Sequence, residues 1–92
     1  MALNFSDSAD KHGIDRADAM NAILNYDYRV EEFDEPRVGS TGRPDLFIGP
    51  TRDGSTQLEV MAVLTPPNEI FVFHVMEVRT KILKIAKERT DE

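Results

Sequence analysis

Cysteine is absent from this 92-residue chain, so no disulfide staples the fold. Small domains without such staples often gain stability by associating, which makes a homodimer or an obligate partner an expectation here. The same absence agrees with a reducing compartment, and the opening residues MALNFSDSADKHG hold no apolar run able to act as a signal peptide or membrane span. A cytoplasmic location without membrane contact is expected. Two histidines, with no cysteine beside them and no HExxH or EF-hand spacing, argue against a metal site. There is no Walker loop, GxGxxG turn or GxSxG elbow, so the usual nucleotide-binding and serine-hydrolase readings fall away and no cofactor is expected. A basic surplus is missing too. The formal net charge is −6, against the positive footprint of a general nucleic-acid binder. The acidity is local: residues 1–36 carry nine acids against Lys11, Arg16 and Arg29, whereas residues 37–92 carry eight charges of each sign.

What is present is 40% hydrophobic and 30% charged, the composition of one globular domain. A chain this short buries only about 60–70% of its unfolded surface, so it builds one core, and any site lies on a sheet face, a groove or an interface. Ser6 reads as the N-cap of a short helix ending at Gly13, with Phe5, Ala9 and His12 along one face. Asp15 caps a second helix, with Asp18 in a weak capping box and Ala17, Met20, Ile23 and Leu24 as its apolar stripe. Tyr28 to Phe33 reads as a strand whose neighbours Glu31, Glu32, Asp34 and Glu35 mark an exposed edge. VGSTGRP is a loop. Leu46 to Pro50, Gln57 to Leu64 and Ile70 to Val75 follow as strands joined by turns at Arg52-Asp53-Gly54 and Pro66-Pro67-Asn68. Val78, Ile82, Ile85 and Ala86 give a final helix its stripe, flanked by Glu77–Lys81 and Lys84–Glu88 pairs. The expected class is α+β: two short N-terminal helices, an antiparallel sheet of three to four strands and a C-terminal helix, all in a single domain.

Alternation along the strands puts Leu46, Ile48, Leu58, Val60, Ala62, Phe71, Phe73 and Val75 on the face packed against the opening helices. Phe47, Glu59, Met61, Ile70, Val72 and His74 then share the other face. That face is too apolar to stay bare, so the last helix, a second copy or another protein covers it. Phe47, Met61, Ile70 and Val72 are its candidate interface residues.

The chemistry concentrates where the last strand meets the last helix. A helix start offers unpaired N–H groups and a positive dipole end, and His74 and Arg79 flank this one, a plausible seat for a phosphate. His74 is the candidate general acid or base. Glu59 orients it or shares the proton transfer, and Arg79 and Lys81 neutralise charge developing on a transferring phosphate. His12, at the end of the first helix, has a structural explanation in the helix dipole as well as a catalytic one. Arg43 and Arg52, in loops at the strand ends, are candidate phosphate contacts.

KHGI followed by a DA-containing helix, the IGPTRDG…LEVMAV hairpin, and HVMEVRTK opening a last helix occur here in that order. Together they resemble the BrnT-like toxins of the RelE-related fold, over nearly the whole chain from Lys11 to about Arg89. The resemblance implies two helices, an antiparallel sheet and a terminal helix, a metal-independent endoribonuclease that acts on RNA either ribosome-associated or free, and a cognate antitoxin as partner. His12 matches the histidine of the KHG segment, Gly54 the hairpin glycine, and Arg79 the arginine where the last strand passes into helix. The family tends to place arginine or lysine in the hairpin after the glycine and around the final strand, where this chain has Gln57, Glu69 and Glu77. The expected function is therefore the toxin of a type II toxin–antitoxin system. The alternative is a non-catalytic interaction module that has lost nuclease activity.

Overall fold

Residues 2–33, 43–65 and 69–90 are described by a computed structural model, which shows an α+β domain built on one five-stranded mixed sheet. The elements are β1 (Ala2–Phe5), a 3-10 turn (Asp7–Asp10), α1 (Arg16–Leu24), β2 (Tyr28–Val30), β3 (Asp45–Pro50), β4 (Gln57–Thr65), β5 (Glu69–Glu77) and α2 (Thr80–Thr90). Strand order is β1-β5-β4-β3-β2. β2 to β5 form the expected antiparallel meander, but β1 adds a fifth strand parallel to β5, with Leu3 opposite Ile70 and Phe5 opposite Val72. Phe5 is thus a strand residue, and the first helix shrinks to one 3-10 turn because Leu3 and Phe5 pack on the core from the sheet edge. The strand at Tyr28 stops at Val30, and Glu32 takes a left-handed φ of 52° while its N–H donates to Asp45. β2 is an edge, as its flanking acids suggest. The Pro66-Pro67-Asn68 turn, Asp34, Glu35 and most of VGSTGRP lie outside the described residues.

α1 starts where Asp15 was expected to cap it: the Asp15 carboxylate accepts from the Ala17 N–H at 2.8 Å. Its buried face is Ala19, Ala22 and Ile23, rotated from the expected stripe, and Leu24 is 62% exposed. Small residues are needed there because α1 presses against β3 at Gly49, where an added Cβ would collide with the Ala22 backbone. Asp18 does not complete a capping box but instead accepts from the Arg52 N–H and Nε of the β3–β4 hairpin. Inside that hairpin the Ser55 N–H and the Thr51 and Ser55 hydroxyls bind the Asp53 carboxylate and hold it at about 2. Gly54 takes the positive φ of 74° that the turn requires.

Two apolar layers result, one on each sheet face. Ala9, Ala19, Ala22 and Ile23 pack with Phe47, Leu58, Val60, Ala62, Val72 and Val75. On the other side Ile82 and Ala86 of α2 pack with Val30, Leu46, Ile48, Met61, Val63 and Phe73. The expected faces hold for β4 and fail for β3 and part of β5. Phe47 opposes Val60 and Ile48 opposes Glu59, so β3 alternates one residue out of step with the sequence reading. In β5, Met61 opposes His74 but Ala62 opposes Val72, which leaves Phe73 as an extra bulged residue. The bulge puts His74 on the α2 face and Val72 on the α1 face although both have even numbers. The apolar second face is covered by the chain's own α2. No helix of the described residues is long and apolar enough to cross a membrane.

Candidate functional site

Glu59 sits in the central strand β4 with no exposed surface, an unusual place for a carboxylate. Its neighbours compensate it fully. Oε1 accepts from His74 Nε2 at 2.8 Å and from Arg79 Nε and Nη2 at 3.0 and 2.7 Å, and Oε2 accepts from the Arg79 backbone N–H at 2.9 Å. Burial pushes the Glu59 carboxyl up, but the His74 and Arg79 hydrogen bonds and the arginine charge outweigh it and bring the group down from 4.5 to about 2. Glu59 is ionised at neutral pH.

The register explains the meeting. Glu59 and Met61 share the α2 face of β4, and His74 lies opposite Met61, two residue pairs along from Glu59 and on the same face. The chain leaves β5 at Glu77, Val78 N–H bonds back to the Gln57 carbonyl, and Arg79 comes over Glu59. The Arg79 carbonyl then accepts from the N–H groups of Ile82 and Leu83, so Arg79 stands at the cap of α2. The anion expected at this helix start is therefore supplied internally, by Glu59.

An ionised carboxylate only accepts hydrogen bonds, so His74 Nε2 carries a proton and donates it. Nδ1 is the ring atom left for other chemistry. The His74 side chain is 23% exposed, and the His12 ring meets it edge to face with centroids 6.0 Å apart. His12 is itself exposed and follows a single 3-10 turn, which is too short to supply the helix dipole expected for it. The Arg79 side chain is 39% exposed, and its Nη1 makes no hydrogen bond among the described residues. Glu59, His74 and Arg79 thus meet at the β5–α2 junction, and His12 reaches this group through its edge contact with His74.

The other candidates do not converge there. Arg52 is bound by Asp18 at 2.8 Å and Asp15 at 3.4 Å, on the α1 side of the sheet. Arg43 pairs with Glu32 at 3.4 Å, before β3, whereas Arg52 follows it. At about 3.3 Å per residue β3 separates these two by roughly 17 Å, too far to share one phosphate. Lys81 lies exposed in the first turn of α2. The interface candidates do not make one surface: Phe47, Val72 and part of Ile70 belong to the α1-side core, and Met61 lies under α2. Burial removes Phe47, Met61 and Val72 as docking residues, because folding has already used their apolar area. The expected Glu77–Lys81 helix pair is also lost, since Glu77 ends β5 rather than lying in α2.

A second buried ion pair escaped the sequence reading. Asp45, 7% exposed, accepts from Arg29 at 2.8 Å and from the Glu32 N–H at 2.9 Å, and the Arg29 guanidinium lies over the Phe47 ring. Arg29 opposite Phe47, with Asp45 two residues away on the same face, is a diagonal cross-strand pattern that becomes visible only once the β2–β3 register is known. Its role is structural. Every buried side-chain polar atom of the described residues has a partner, and those residues contain no group of three or more His, Asp or Glu placed to hold a metal ion. No family model matches this chain, and neither a curated protein nor a solved structure matches it.

Proposed function

We propose that the chain is the toxin of a type II toxin–antitoxin system, a BrnT-like protein of the RelE-related fold that cleaves RNA without a metal and is held in check by a cognate antitoxin. One observation carries this reading. Two accessible imidazoles, His12 and His74, lie edge to face, and Glu59 binds the second of them together with the Arg79 guanidinium and so fixes its tautomer. In this mechanism His74 Nδ1 takes the proton of a ribose 2′-hydroxyl, and the 2′-oxygen attacks the adjacent phosphorus. The bond to the 5′-oxygen breaks, and His12 in its imidazolium form protonates that leaving oxygen. The products are a 2′,3′-cyclic phosphate and a 5′-hydroxyl. Arg79, through Nη1, stabilises the charge gathering on the phosphoryl oxygens, and Glu59 keeps the His74 ring oriented.

Expression without antitoxin is expected to arrest growth, and the purified protein to cleave RNA in the presence of EDTA. His74→Ala is expected to lower the cleavage rate by about 10²–10⁴-fold, the usual share of a general base, while the protein stays folded by circular dichroism. A folded wild type that is harmless and leaves RNA intact, or a His74→Ala variant as active as wild type, overturns the assignment.

A different feature of the same cluster favours a second reading, a non-catalytic module that binds an antitoxin-like partner. Glu59 takes up the Arg79 Nε and Nη2 donors and cancels its charge, as expected of a group kept for folding. Under that reading His12→Ala and His74→Ala leave partner binding unchanged and no RNA cleavage is seen at any protein concentration.

A further inference from the structure

Every arginine from Arg16 to Arg79 that the structure describes is paired with a carboxylate. The lysines are not. Lys81, Lys84 and Lys87 are exposed on α2, and no ion pair or side-chain hydrogen bond engages them among the described residues. The remaining lysine, Lys11, is exposed in the same way and adjoins His12. In a protein of net charge −6, the unanswered positive charge is therefore gathered on the helix that follows Arg79 and beside the histidine facing His74. Lys84 and Lys87 also border a shallow recess with Thr80, Leu83 and Glu88, which sets an apolar side chain between the cations and one carboxylate at its rim.

We infer that the outward face of α2 is a track for the backbone of single-stranded RNA flanking the scissile phosphate. This rests on the nuclease reading and adds where the rest of the substrate lies. Lys81 to Lys87 covers about 9 Å of helix axis at 1.5 Å per residue, a reach of two or three phosphates once the lysine side chains spread. The net negative charge of the molecule disfavours a polyanion elsewhere, so the strand follows these lysines. The row leads away from the site, and no second row of unpaired lysines faces it among the described residues, which suits a flexible strand better than a duplex needing contacts on two sides. Binding through such contacts depends steeply on salt, with a slope of about −0.7 per phosphate neutralised on a single strand.

The test uses a fluorescein-labelled 2′-O-methyl oligonucleotide of about 12 nucleotides, which cannot be cleaved, with anisotropy measured between about 50 and 200 mM salt. Wild type is expected to bind the oligonucleotide, more weakly as the salt concentration rises. Replacing Lys81, Lys84 and Lys87 together by glutamine is expected to weaken binding by about tenfold or more and flatten the salt slope by about 2. Thermal melts check that the triple variant is folded. Unchanged affinity and slope in that variant overturn the track, as does wild type binding a glutamate-rich peptide and not the oligonucleotide, which makes α2 a dock for acidic protein. Failure of the nuclease reading gives a separate result: the oligonucleotide binds through α2, yet cleavable RNA stays intact.

Discussion

Glu59 shows how one residue ties stability to the site. Its carboxyl lies at about 2 in the fold against an ordinary 4.5. As pH falls the unfolded chain therefore takes up this proton first, so the stabilisation is complete above about pH 5 and is lost as pH drops from 4.5 toward 2. The shift corresponds to roughly 3 kcal/mol. Glu59→Gln keeps the shape and removes the charge. It is expected to be less stable at neutral pH by about that amount and to show a shallower acid decline of the urea midpoint. Identical pH profiles for the two proteins would refute this account. The meeting of Glu59 with His74 was legible in the sequence, since period-2 alternation puts both on one side. The capture of Arg79 by the same carboxylate was not, because it depends on how the chain turns after Glu77.

At the scale of elements, α1 and β3 meet at Gly49 with no room for a side chain. Gly49→Ala is expected to lift α1 from the sheet and cost about 1–3 kcal/mol in a denaturant titration, as overpacking does. A midpoint equal to wild type would show that the helix shifts freely. The strands β3, β4 and β5, the Asp15 cap and α2 were readable from periodicity and turn residues. Three features were hidden for physical reasons. β1 is too short to alternate recognisably, and its partner is far away in sequence. The β3 phase is fixed by pairing with β4, which local pattern does not encode. The bulge at Phe73 adds one residue to a run that reads as continuous alternation, moving His74 and Val72 to opposite faces.

Across the whole molecule, two helices on opposite faces divide the work of covering a sheet that is apolar on both sides. Ending the chain after Val78 would uncover Leu46, Ile48, Met61 and Phe73 and remove Ile82 and Ala86 from their layer. The truncated protein is expected to aggregate or bind a hydrophobic dye strongly; a soluble species without dye binding would mean that another surface covers this face. The parallel strand β1 has a different consequence, one of timing. Its partners begin at Glu69, so β1 is synthesised before the strand it docks on and waits until most of the other strands have been made. Closing so long a loop costs entropy, and β1 is accordingly expected to be the last strand to settle.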